Sequence, residues 1–233
     1  MKPERKPKLV LFDIDGTLVD THGFGREAFI RGLARATGTR DELAYVSFAG
    51  NTDRNVLDQV EAARGVRLEA ALVSRIFAAI AEELRELLRD NPAQEIAGAR
   101  AFLARLEAEG VALGLVTGNI RACADLKLGS AGLGRFFRFG GFGDEHAQRA
   151  KIAQAALAAA RAAGIDVAKG GICLVGDTPF DVAAGRALGV PVLGVATGKY
   201  DAAALRAAGA AEVIRDFSEA DRLLTWLAQI LDG

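Results

Sequence analysis

Short apolar runs alternate with longer amphipathic stretches along most of the chain. Residues 9–12, 111–116, 172–175 and 191–195 are predominantly apolar and of strand length, and each is followed within two residues by Gly, Asp or Thr. Runs of this kind read as strands buried on both faces, as in a parallel sheet. Residues 135–139 are a weaker strand candidate, because arginines and flanking glycines interrupt the pattern, and residues 212–214 are a short sixth. Helical periodicity marks residues 25–37, 54–64 and, longest of all, 69–89, where Val73, Ile76, Phe77, Ile80, Leu84, Leu87 and Leu88 form one stripe. No β-type alternation occurs between Asp20 and Asn91, so this region reads as an all-helical insert. Further helices are expected over 99–109, 121–128, 144–163, 181–188 and 202–208, with a last one carrying Leu223, Leu224, Leu227, Ile230 and Leu231 on one face.

Strands alternating with helices imply right-handed crossovers and a parallel sheet. The expected fold class is α/β: a Rossmann-like core from residues 1–20 and 93–233, with an inserted all-helical domain over 21–92. The length of 233 residues accommodates such a pair, and a hydrophobic content of 51% supplies its core. A net charge of −1 with no long basic stretch argues against nucleic acid as the partner. No apolar stretch is long enough for a bilayer, and the opening MKPERKPK lacks the apolar segment of a secretory signal. It reads as a loose tail on a cytoplasmic protein. Cys123 and Cys173 lie far apart and in no metal-type spacing.

The chemistry concentrates where predicted strands end. Asp13 and Asp15 follow the first strand, and side chains two apart on extended backbone point the same way. Two crowded carboxylates resist ionising together, and a divalent cation with oxygen ligands, Mg²⁺ in the first place, removes the conflict. Thr117, Gly118 and Asn119 follow the second strand, and Asp177 another, with Asp181 four residues on. Thr117 either caps the next helix or offers its hydroxyl to an anion beside the amides of Gly118 and Asn119. Of the two basic residues Arg149 and Lys151, Arg149 shares a stripe with Ile152 and Ala156 and so begins the face that packs on the sheet. Strand ends of an open α/β sheet converge on one crevice.

The strings DIDGTLVD, LVTGN and GDTPFD, in that order with a basic residue between the last two, resemble the ordered motifs of the haloacid dehalogenase superfamily. The resemblance covers the core, about two thirds of the chain, and the insert sits where that superfamily places a helical cap. It is strongest toward the phosphoglycolate phosphatase branch. The resemblance implies a Mg²⁺-dependent phosphatase acting on a small phosphorylated metabolite, with a phosphosugar mutase as the alternative. It implies Asp13 as nucleophile and metal ligand, and Asp15 as acid and base whose carbonyl also reaches the metal. Asp177 completes the metal site, with Asp181 bound directly or behind it. Relatives that remove halide lack an aspartate at the position of Asp15. Either Arg149 or Lys151 neutralises the phosphoryl group, and Gly16 permits a tight turn beside it. Asn51, Thr52, Asp53 and Arg54 form a polar cluster at a helix start, read either as substrate contacts from the insert or as a helix cap. The assembly is expected to be a monomer or homodimer.

Overall fold

The computed structural model describes residues 8–167 and 171–232. The expected loose tail lies, apart from Lys8, outside the described residues. In chain order the elements are β1 (Leu9–Phe12), β2 (Val19–Asp20), α1 (Phe24–Thr37), α2 (Asp53–Arg64), α3 (Ala70–Asp90) and β3 (Gln94–Glu95). There follow α4 (Ala99–Ala108), β4 (Ala112–Val116), α5 (Arg121–Ser130), β5 (Gly140–Gly141), α6 (Arg149–Ala162) and β6 (Ile172–Gly176). The chain closes with α7 (Pro179–Leu188), β7 (Val192–Val195), α8 (Ala202–Ala208), β8 (Glu212–Ile214) and α9 (Ala220–Asp232).

Six strands form one sheet in the order β5-β4-β1-β6-β7-β8. Every pairing in it is parallel. β1 lies between β4 and β6, so the loops leaving these three neighbouring strands open side by side. Alternation along β1 splits the core. Val10 and Phe12 face α4 and α9, where Phe12 meets Phe102 of α4 edge to face and Phe102 stacks on Phe217, just ahead of α9, while Leu9 and Leu11 share a cluster with Ile152 of α6 and Val182 of α7. Each such fully buried side chain is worth about 1.5–3 kcal/mol of transfer free energy.

Residues 21–90 hold α1, α2 and α3, and among the described residues no strand lies between Thr21 and Asp90. The stripe on α3 is buried as expected at Val73, Ile76, Ile80, Leu84 and Leu88. Gly32 of α1 lets that helix approach the Ile80 backbone, where a Cβ would not fit. A two-residue antiparallel ribbon, β2 with β3, joins the two chain crossings between the insert and the sheet. It is too short to leave a periodic signature.

Two expectations are corrected. Residues 135–139 form a 3₁₀ turn at Gly134–Phe136, and the strand is Gly140–Gly141. Both are glycines for a reason: a Cβ on Gly140 would crowd Leu115, and one on Gly141 would enter the carbonyl of Ile152. The edge strand therefore carries no hydrophobic mark. The helix expected over 144–163 starts only at Arg149. The preceding segment is engaged by α2 instead: the Thr52 hydroxyl donates to the Ala147 carbonyl (3.0 Å) and the Arg54 amide to the Gly143 carbonyl (3.0 Å). No helix among the described residues is long and apolar enough to cross a membrane.

Candidate active site

The loops at the carboxyl ends of β1, β4 and β6 surround a cavity of 490 Å³, roofed by Phe48, Ile80 and Leu84 from residues 21–90. Asp13 leaves the end of β1, and its amide continues the sheet by donating to the Val175 carbonyl (2.9 Å). Asp177 leaves the end of β6 and is buried, with the Thr17 hydroxyl donating to its Oδ1 (3.3 Å). Asp181 lies one turn into α7 and is fully buried. Its Oδ2 accepts from the Thr178 amide (3.0 Å) and hydroxyl (2.7 Å), while Thr178 Oγ1 accepts the Asp181 amide, a reciprocal capping box. Asp13, Asp177 and Asp181 each place one carboxylate oxygen within 4.8 Å of the others.

Arg149, the first residue of α6, enters this cluster. Its Nη2 lies 2.6 Å from Asp13 Oδ1 and 2.7 Å from Asp181 Oδ1. These are charge contacts without hydrogen-bond alignment, so Asp181 Oδ1 is a buried acceptor with no donor. Burial opposes the charge on Arg149, but Asp13, Asp181 and Asp177 outweigh it and its pKa is raised. Burial pushes Asp13 up to about 7, only partly offset by Arg149, with Asp181 adding repulsion. Burial and the proximity of Asp13 push Asp177 up to about 9. Three acids sharing one guanidinium remain short of positive charge.

Two glycines enclose Asp177. A Cβ on Gly16, whose φ is +74°, would come within 2.5 Å of Asp177 Oδ2, and one on Gly198 would run into the same atom. The Thr197 hydroxyl donates to the Gly16 carbonyl and ties these loops together. Gly198→Ala is therefore a steric test free of backbone strain. Displacing Asp177 by about 1 Å is expected to cost about 10²-fold in activity. Thermal melting beside a steady-state assay checks that the loss is local.

Thr117 is buried and does not cap α5. Its hydroxyl oxygen accepts from the Asn119 amide (3.2 Å) and side-chain nitrogen (2.7 Å). The free amide at the start of α5, that of Ile120, is taken by Asp53 Oδ2 (2.7 Å). Burial pushes Asp53 up to about 6. Its own amide donates to the Gly118 carbonyl (2.8 Å), and Gly118 has no room for a Cβ against the Asn51 carbonyl. The cluster 51–54 thus clasps the Thr117–Asn119 loop. Asn51 and Asp53 line the cavity, whereas Thr52 caps α2 and Arg54 turns back to Asp58 (3.0 Å) and Glu61 (3.7 Å). Lys151 is exposed and away from the cavity; Arg149 lines it.

Sequence reasoning missed Lys127. Its side chain is 4% exposed, and its Nζ donates to both oxygens of Asp15 and to Asn119 Oδ1. Burial opposes this charge too, but Asp15 outweighs it and the pKa is raised. The signal was available: Lys127 falls on the buried stripe of α5 with Cys123, Ala124 and Leu128, where a lysine requires a buried partner.

Asp13, Asp15, Asp177, the Thr117–Asn119 loop and Arg149 thus line one cavity. A family model for haloacid dehalogenase-like hydrolases matches residues 10–195. The chain belongs to this family. Phosphoglycolate phosphatase of Cupriavidus necator, plasmid-encoded, is 34% identical over 220 residues, covering 93% of this chain and 92% of the relative. That of Rhodospirillum rubrum is 31% identical over 216 residues, covering 91% and 88%. Among solved structures, a hydrolase from Pseudomonas syringae matches with a TM-score of 0.71 at 22% identity, covering 97% of this chain and all of the other. CbbY from Rhodobacter sphaeroides in complex with phosphate matches at 0.70 and 19% identity, covering 91% and 96%. The structural matches show that the fold is shared, and the family model and sequence relatives make the protein a haloacid dehalogenase-like hydrolase of the phosphatase type.

Proposed function

We propose that this haloacid dehalogenase-like hydrolase is a Mg²⁺-dependent phosphatase that cleaves a small phosphomonoester through an aspartyl-phosphate on Asp13. The observation that carries the reading is the buried Asp13–Asp177–Asp181 cluster with Arg149 on its nucleophile. An all-oxygen donor set and two acids raised by burial fit a hard divalent cation. Asp13 and Asp177 would hold it, with the Asp15 carbonyl. Asp181 already spends one oxygen on Thr178 and the other on Arg149, which suits it to hold Arg149 in place. When bound, the cation offsets the repulsion between a carboxylate and an anionic ester and supports charge on the transferring oxygens.

The chain's own residues then divide the work. A carboxylate oxygen of Asp13 forms a bond to phosphorus as the ester oxygen leaves, and Asp15 gives that oxygen a proton. Asp15 next takes a proton from the water that attacks the aspartyl-phosphate, which frees Asp13 and inorganic phosphate. Arg149, the Thr117 hydroxyl and the amide of Gly118 face the phosphoryl oxygens. Residues 21–92 act as a cap that excludes water during the first step.

The relatives' names make phosphoglycolate the first substrate to assay. A panel of phosphomonoesters with Mg²⁺, Mn²⁺ or EDTA tests the reading: release of phosphate in the metal lanes and none with EDTA is expected. Undiminished release in EDTA contradicts it, and isomer formation from a hexose phosphate without phosphate release marks the mutase alternative.

A further inference from the structure

The proposed mechanism gives Asp15 the proton transfers, yet Asp15 stands at the cavity edge with a side chain 41% exposed. Such a carboxylate has no intrinsic reason to keep one orientation. Proton transfer needs it within hydrogen-bond reach of the ester oxygen, so something must hold it. Lys127 approaches from the buried side of α5, its Nζ 2.8 Å from Asp15 Oδ1 and 2.7 Å from Oδ2. The Asn119 side-chain amide is a second donor group and adds a third hydrogen bond, 2.7 Å from Oδ2. The same Asn119 group donates to Thr117 Oγ1 at 2.7 Å, and its carbonyl accepts from Lys127 at 2.6 Å. A carboxylate offers about four lone-pair sites, so these three bonds fix its plane and leave one site open.

We infer that Lys127 is a positioning residue: it sets the Asp15 carboxylate for proton transfer to the leaving oxygen and couples it, through Asn119, to the Thr117 loop that receives the phosphoryl group. The inference rests on the role proposed for Asp15. Two features of the chain match it. A lysine on the buried face of α5 costs desolvation that only a fixed anionic partner offsets. Gly25, in the first turn of α1, makes the room: an added Cβ there would sit 3.1 Å from Lys127 Nζ.

The readout is leaving-group dependence. Ethyl phosphate needs its oxygen protonated as it departs and has no other polar group for Lys127 to bind, whereas p-nitrophenolate departs without help. For the Mg²⁺-loaded full-length enzyme, kcat/KM reports the first transfer alone. Lys127→Met is expected to lower kcat/KM for ethyl phosphate about 10²-fold and for p-nitrophenyl phosphate less than about 5-fold. Asp15→Asn is expected to show the same preference, and the double variant to be no worse than Asp15→Asn, because the two residues act as one unit. Gly25→Ala keeps α1 and presses on Lys127 from the far side, so it remains informative if Lys127→Met does not fold. Its expected effect is a selective loss of about 5-fold on ethyl phosphate. Equal losses on both esters for these variants, a change in KM alone, or additive effects in the double variant overturn the inference. If Asp15→Asn itself shows no leaving-group preference, the acid role in the proposed function fails first. If Asp15→Asn shows it and the Lys127 and Gly25 variants do not, only the role of Lys127 fails.

Discussion

Replacing Asp13 with Asn is expected to lower phosphate release by at least about 10³-fold with Mg²⁺ saturating, while leaving the protein folded. The amide has the carboxylate's shape and cannot form the bond to phosphorus. The fold tolerates it because the site already favours an uncharged group there: burial, not pairing, dominates the environment of Asp13, and its pKa lies well above the ordinary carboxylate value. Arg149 keeps Asp181 at 2.7 Å, so the guanidinium is not stranded. Phosphate release and thermal melting, measured on one preparation, separate lost chemistry from lost structure. Release within about tenfold of the wild type would remove Asp13 from the nucleophile's role.

Metal-free protein is expected to become less stable as pH rises, and Mg²⁺ to reverse this. Burial raises Asp53 to about 6, Asp13 to about 7 and Asp177 to about 9, against 3.8 for an ordinary aspartate. Between the unfolded and folded values the folded chain holds more protons than the unfolded one, so the slope of stability with pH is negative. The contribution of these groups is complete below about pH 4 and lost progressively up to about pH 9. A cation that takes the protons' place binds more tightly as they leave. At about 100 times its dissociation constant it contributes about 2.7 kcal/mol, or about 5–10 °C in Tm for a chain of this size. The gain should be larger near pH 9 than near pH 6, and Asp177→Asn should abolish most of it. Melting curves with EDTA and with Mg²⁺ at several pH values decide the matter. A Tm that climbs with pH in EDTA, or no response to Mg²⁺, contradicts the proposed site.

What could be read from the chain beforehand follows from how loudly each feature speaks in side chains. β1, β4 and β6 are announced by apolar runs that end in Asp, Thr or Gly, and with them came Asp13, Asp15, Thr117 and Asp177 at the mouth of the sheet. α3, a helix of 21 residues, is announced by a stripe sustained from Val73 to Leu88. β5 is silent because contact with β4 and α6 forces glycine at both of its positions. The ribbon of β2 with β3 is too short for any period. The start of α6 is set by hydrogen bonds from α2, a partner about 95 residues away, and no local propensity encodes that. For the same reason residues 51–54 could be read as a polar cluster but not as the clasp on the Thr117–Asn119 loop. Lys127 was hidden by its residue type, since lysine is read as solvent-facing unless the stripe on which it lies is checked. Gly198 was hidden because a glycine's steric role depends on which side chain stands over it, here Asp177.

The most direct experiment traps the covalent state. Mg²⁺-loaded enzyme is mixed with p-nitrophenyl phosphate, quenched in acid within the first turnover, digested and read by peptide mass spectrometry. One phosphoryl group on the peptide containing Asp13, absent from the Asp13→Asn variant, is the expected result. A phosphoryl group on another residue, or rapid turnover with no covalent phosphate at any quench time, would contradict nucleophilic attack by Asp13.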